Sequence, residues 1–100
     1  MLKIQKTVNA SASVSTTSAE ILNKPNYLRK ALIVTNTSSS AVVTLAKGDV
    51  AAVAGAGIRL QPNSSYIEST DSGFTCWQGA IQAVADGAGT VAIVETYEEK

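Results

Sequence analysis

The sequence predicts an all-β protein, an antiparallel β-sandwich or jelly-roll-like barrel of about 7–8 short strands with an extended N-terminal arm. Three observations predict it. Ten Val, seven Ile and ten Thr supply the side chains that fit a pleated, half-buried surface. Glu, Lys and Leu, which favour helices, are few. Turn signals recur at short intervals, as in a sandwich or barrel rather than in βαβ units. The length of 100 residues suits one domain. Its body is expected over residues 21–100, after a low-complexity arm or edge strand over residues 1–20.

In chain order, Asn9 to Ala19 (NASASVSTTSA) is built from small polar residues and alanine. Such a segment buries little by itself and reads as a weak edge strand or an extended arm. Tyr27 to Thr37 (YLRKALIVTNT) alternates and then becomes the apolar run Ala31, Leu32, Ile33, Val34, as a central strand covered on both faces would. The cluster Asn36 to Ser40 is a turn, and Ala41 to Lys47 (AVVTLAK) follows as the second arm of an expected hairpin. Lys47-Gly48-Asp49 breaks the pattern. Val50 to Gly57 (VAAVAGAG) mixes helix-favouring alanine with two glycines and is expected as a loop or short helical turn leading into a strand at Ile58 to Gln61. Proline presets the Pro62-Asn63-Ser64 turn. Strands at Ser65 to Thr70 and Gly73 to Gln78 would flank a turn at Asp71-Ser72. Ala80 to Ala85 and Thr90 to Tyr97, joined by Asp86-Gly87-Ala88-Gly89, carry a good hairpin signal.

Composition excludes several chemistries. Eight Lys+Arg balance eight Asp+Glu, and no basic cluster stands out, which argues against nucleic-acid binding through phosphates. Without histidine there is no Ser-His or Cys-His nucleophile pair and no imidazole ligand. The single cysteine allows no intramolecular disulfide and no multi-Cys zinc site. No stretch approaches the ~20 apolar residues of a membrane-spanning helix, and the N-terminus has no signal-peptide h-region. Alanine, at 15 positions, accounts for a third of the apolar residues and buries little area each, so the core is thin and stabilisation by self-association is expected.

Candidate sites are correspondingly few. Gly55-Ala56-Gly57 lacks the third glycine of a dinucleotide loop, because Leu60 stands there. No D-x-D-x-D-G loop supports calcium, and the eight carboxylates read as solvated surface rather than an acid–base pair. Cys76 beside Trp77 reads as a buried structural thiol. Tyr27, Tyr66, Phe74 and Trp77 could form an aromatic platform for sugars or single-stranded nucleic acid, although core packing is the stronger reading. Three matches to the N-glycosylation acceptor pattern, starting at Asn9, Asn36 and Asn63, are discounted in a chain this rich in Ser and Thr. No catalytic, cofactor-binding or metal-ligating residues are assigned. The interface candidates are Val8, Val14, Tyr66 and Trp77.

Five segments, read in order, carry a resemblance: Arg29-Lys30-Ala31-Leu32-Ile33-Val34-Thr35-Asn36, Val43-Thr44-Leu45-Ala46-Lys47-Gly48, Gly57-Ile58-Arg59-Leu60, the run from Gly73 to Ala83, and Val91-Ala92-Ile93-Val94-Glu95. Their strand and turn chemistry resembles small β-rich virion structural proteins of tailed bacteriophages. The resemblance implies a subunit without catalytic residues that is made in the host cytoplasm and placed on the virion's capsid surface. A head decoration or cement role is expected, in which a homo-oligomer such as a trimer binds neighbouring major capsid protein or other virion proteins. The alternatives are a tail, neck or fibre accessory and a carbohydrate-binding module using Trp77 and Tyr66. The Ser/Thr/Ala-rich arm would pair with an exposed sheet edge of a neighbouring subunit.

Overall fold

The computed structural model describes residues 4–22, 29–48, 50–70 and 75–99. Its strands are β1 (Ile4–Val14), β2 (Ala19–Leu22), β3 (Arg29–Asn36), β4 (Val43–Lys47), β5 (Ile58–Leu60), β6 (Ser65–Ser69), β7 (Ile81–Ala85) and β8 (Gly89–Glu99). They build two four-stranded antiparallel sheets: sheet A in the order β1-β8-β3-β6, sheet B in the order β2-β7-β4-β5. No helix occurs among the described residues. The chain changes sheet at every connection except β4 to β5, which is the winding of a jelly roll. The expected fold class is therefore the one observed.

The core lies between the sheets. Leu32 and Val34 of β3 and Val91 and Ile93 of β8 meet Val43 and Leu45 of β4 and Ile81 and Ala83 of β7. Period-two alternation puts these residues inward and leaves Ala31, Ile33 and Thr35 on the outside. The run from Ala31 to Val34 is thus covered on one face, not two. In sheet B, by contrast, every residue of β7 is buried. Residues 50–57 account for part of that cover over β4. Gly55 N–H donates to Thr44 Oγ1 at 3.2 Å, and Thr44 is buried on the outer side of β4. This segment is an irregular loop with a Val53–Ala56 bridge and no helical turn.

Both expected hairpins are corners between the sheets. β3 and β4 do not pair, and neither do β7 and β8. At the first corner the buried Asn36 Nδ2 donates to the carbonyls of Ala41 (2.8 Å) and Leu60 (3.0 Å), while its Oδ1 accepts from Ser38 N–H (2.9 Å). One side chain thus satisfies backbone groups that lie outside any ladder and turns the chain from sheet A into sheet B. At the second corner, Asp86 Oδ1 accepts from Val42 N–H at 2.9 Å and ties the connection to the approach to β4. A short Asp-Gly connection marks a reversal, but burial decides in which sheet the next strand lands.

Residues 75–78 are not a strand. Side chains hold their backbone instead: Thr70 Oγ1 accepts from Cys76 N–H at 3.0 Å and Glu68 Oε1 from Trp77 N–H at 2.9 Å. The turn at residues 62–64 forms as expected, with Ser64 N–H bonded to Gln61 O at 3.0 Å and Asn63 at φ 68°. The expected features at Tyr27, Asp49, Asp71-Ser72, Gly73 and Phe74 lie outside the described residues.

Candidate assembly surfaces

The segment from Ile4 to Val14 is an edge strand. It pairs with β8 in unbroken antiparallel register from Ile4↔Glu99 to Val14↔Gly89, and among the described residues β8 is its only partner strand. Its other edge therefore presents the unpaired N–H and C=O groups that template a further strand. Edges of this kind are normally blunted by charge, proline or bulges. β1 has 11 residues, one charge (Lys6), no proline and no register shift.

Both sheets expose their edges on the same two sides of the sandwich. β1 packs toward β7, next to the β2 edge of sheet B, while β6 at the far side packs against β5. Among the described residues, one side therefore carries the unpaired edges of β1 and β2, the other those of β6 and β5. Each sheet has four strands of alternating direction, so its two edges run antiparallel to each other. A second copy displaced along the sheet, without rotation, would set β6 antiparallel to β1 and β5 antiparallel to β2. The exposed charges on the sheet B edges are opposite: Glu20 on β2 and Arg59 on β5. Glu20 pairs with Gln82 and Arg59 with Thr44, on the outer face and in adjacent outward rows, because Gln82 faces Ala46 and Val84 faces Thr44.

Behind β6 lies a buried polar cluster. Arg29, fully buried where a bulge opens β3, donates from Nε to Glu95 Oε2 (2.5 Å) and from Nη1 to the carbonyls of Trp77 (2.9 Å) and Gly79 (3.2 Å). Glu68 on β6 takes an ion pair from Lys47 and a hydrogen bond from the Tyr66 hydroxyl. Lys47 Nζ stands 5.4 Å from the centre of the Tyr66 ring and 5.8 Å from that of Trp77. Burial alone would raise the pKa of Glu68. The hydrogen bonds from Lys47, Tyr66 and the Trp77 amide outweigh it and hold the carboxyl below its ordinary value. Burial would lower Lys47, but its bonds to Glu68 and Tyr66 raise it. Both partners are thus held charged. The cluster locks β3, β6 and β8 to the loop before β7 and does not poise Glu68 as a proton donor.

The four interface candidates separate. Val8 is 44% exposed on β1, whereas Val14 is in the core. Tyr66 and Trp77 are half-buried against the core, and Trp77 Nε1 donates to Ala80 O at 2.9 Å. They flank Lys47, while Tyr27 and Phe74, the other members of the expected aromatic platform, lie outside the described residues. The edge residues Glu20 and Arg59 were not singled out from sequence. Short strands with one charge each carry no signal of which sheet edge they occupy.

No family model and no curated protein matches the chain. Among solved structures it is similar to a chain of Bacillus endospore appendages, described as a novel family of disulfide-linked pili. The TM-score is 0.50 at 16% identity, over 98% of this chain and 89% of that chain. At that identity the likeness is one of fold. It corrects the expected function: the structural similarity leads to a pilus and not to a capsid decoration protein clamped on major capsid protein.

Proposed function

We propose that this chain is the structural subunit of a non-covalent homopolymeric fibre, assembled by strand pairing between the free edges of successive copies. The observation that carries the reading is the pair of antiparallel, oppositely charged edges on opposite sides of one sandwich. A head-to-tail contact of this kind does not satisfy itself within a dimer, so it propagates as an open filament. Main-chain hydrogen bonds supply the affinity, as in β-strand addition generally. The likeness in fold to a pilus chain supports the reading.

The covalent feature in the description of that pilus does not carry over to these 100 residues. One cysteine per copy links copies only in pairs and cannot chain them. Cys76 is also 2% exposed, and burial, followed by the nearby Glu68 carboxylate, raises its thiol above the ordinary value. Such a thiol is a poor partner for exchange. Cohesion then rests on the paired edges and on the Glu20–Arg59 contact between copies, a diagonal cross-strand pair within reach of long side chains.

Charge reversal tests this. Glu20→Arg or Arg59→Glu alone sets like charges across the contact and raises the critical concentration for assembly roughly two- to tenfold, the range for cross-strand charge pairs. The double variant Glu20→Arg/Arg59→Glu restores assembly toward the wild-type value. Pelleting or light scattering against concentration reads the effect. Equal assembly by all four proteins, or no rescue in the double variant, would overturn the proposed pairing.

A further inference from the structure

Among the described residues, the outer face of sheet A is a broad surface whose centre does not match exposure to water. Its central row runs across three strands in register, Ile67–Ile33–Val94, and ends at Asn9 on β1. Ile67 is 63% exposed, with Ile33 and Val94 half-buried beside it. The rows on either side, read from the same registers, hold only Ser, Thr and Ala. None of these three rows carries a charge, and Lys30 stands at the bulge that ends the face. A water-facing antiparallel sheet ordinarily alternates polar side chains outward. Over sheet B the 50–57 loop covers part of the corresponding surface with the chain itself. Over sheet A none of the described segments does so.

From this we infer that the outer face of sheet A packs against the same face of a second copy, as a two-fold sheet-on-sheet contact. The occupant follows from area and charge. Strands of 11, 8, 5 and 11 residues, at about 3.3 Å rise and 4.8 Å spacing, span about 550 Å² of sheet plane. Two such faces give about 1,100 Å² before side-chain corrugation, just above the ~1,000 Å² expected of a specific contact. The three uncharged rows meet no like-charge repulsion from their own copy and offer nothing to a charged partner. The charges on this side, Glu98 in the next outward row and Lys30 at the bulge, are of opposite sign and stand at one end of the face. Small side chains around a central aliphatic row let two sheets approach to the usual ~10 Å. This contact uses a face, while fibre growth uses edges. The two are geometrically independent, and in a fibre the face contact joins filaments side by side.

Sedimentation equilibrium over a concentration series tests it, with Ile67→Lys set against the control Val53→Lys. Val53 is a comparably exposed valine, 62%, on the loop over sheet B. The wild type and Val53→Lys are expected to associate through the face, and Ile67→Lys to weaken that step at least about a hundredfold, because the two-fold counts each substitution twice. Excess β1 peptide (residues 4–14) separates the two contacts: it caps edge-driven growth and leaves the face dimer intact. If filaments never form but a dimer does and Ile67→Lys abolishes it, the fibre reading fails and this inference stands. If filaments form and their side-by-side pairing survives Ile67→Lys, this inference fails alone. A wild-type chain that stays monomeric once the edges are capped, or equal weakening by both lysine variants, would also overturn it.

Discussion

Glu68 concentrates the residue-scale physics of this fold. It sits on the inner face of β6, and it stays charged there because Lys47, Tyr66 and the Trp77 amide all donate to it. Its pKa lies below the ordinary 4.5, so the folded state holds the carboxylate better than the unfolded chain does. That contribution is complete above pH 4.5 and is lost as pH falls through the lowered value, since the unfolded chain then binds the proton first. Lys47 has the opposite sense: its raised pKa favours the folded state below 10.5, and the advantage fades as pH rises past it. Urea midpoints measured across the acid range should fall on acidification for the wild type. For Glu68→Gln the midpoint should be lower at neutral pH and the acid dependence flatter. An unchanged acid slope in that variant would remove Glu68 from the account.

Gly57 is a second residue whose role is set by geometry. It adopts φ +140°, and a Cβ built there would stand 2.5 Å from the carbonyl oxygen of Leu45. Gly57→Ala should cost about 1–3 kcal/mol of unfolding free energy through backbone strain and that clash. Gly87→Ala meets open space at an ordinary φ and should be near neutral. The sequence did mark Gly57 as breaking a helix. It could not mark the close approach to β4, which exists only once β5 has paired.

At the scale of elements, most strands were legible and their pairing was not. The alternation of Arg29 to Asn36, Val43 to Lys47, Ser65 to Ser69 and Gly89 to Tyr97 places strands where they occur, because a period of two is a local property. Pairing depends on where apolar area ends up. β7 is buried along its whole length, which a place between β2 and β4 provides and a two-stranded hairpin with β8 would not. Residues 75–78 look like a strand by composition, yet the amides of Cys76 and Trp77 donate to the side chains of Thr70 and Glu68 outside any sheet. The edge character of β1 was the partial exception. Its small side chains already suggested a strand or arm with little to bury, and a free edge is what the fold made of it. The charge-reversal experiment belongs to this scale, since Glu20 and Arg59 act only through the strands that carry them.

At the scale of the whole molecule, assembly depends on the parity of the strands and on which sides carry the edges. Two sheets of four alternating strands, with their edges aligned, make a unit that repeats by translation without a mismatch of strand direction. The thin, alanine-rich core fits a subunit stabilised by its neighbours. Each copy adds four strands to each sheet, so the repeat along the filament is about 19 Å, with strands lying across the axis at about 4.8 Å. X-ray diffraction from aligned, concentrated protein, checked by electron microscopy, is the most direct measurement. The expected result is a filament with a meridional reflection near 4.8 Å and a subunit repeat near 19 Å. Particles that remain monomers or closed dimers at high concentration, or filaments whose strands run along the axis, would contradict the edge-paired fibre.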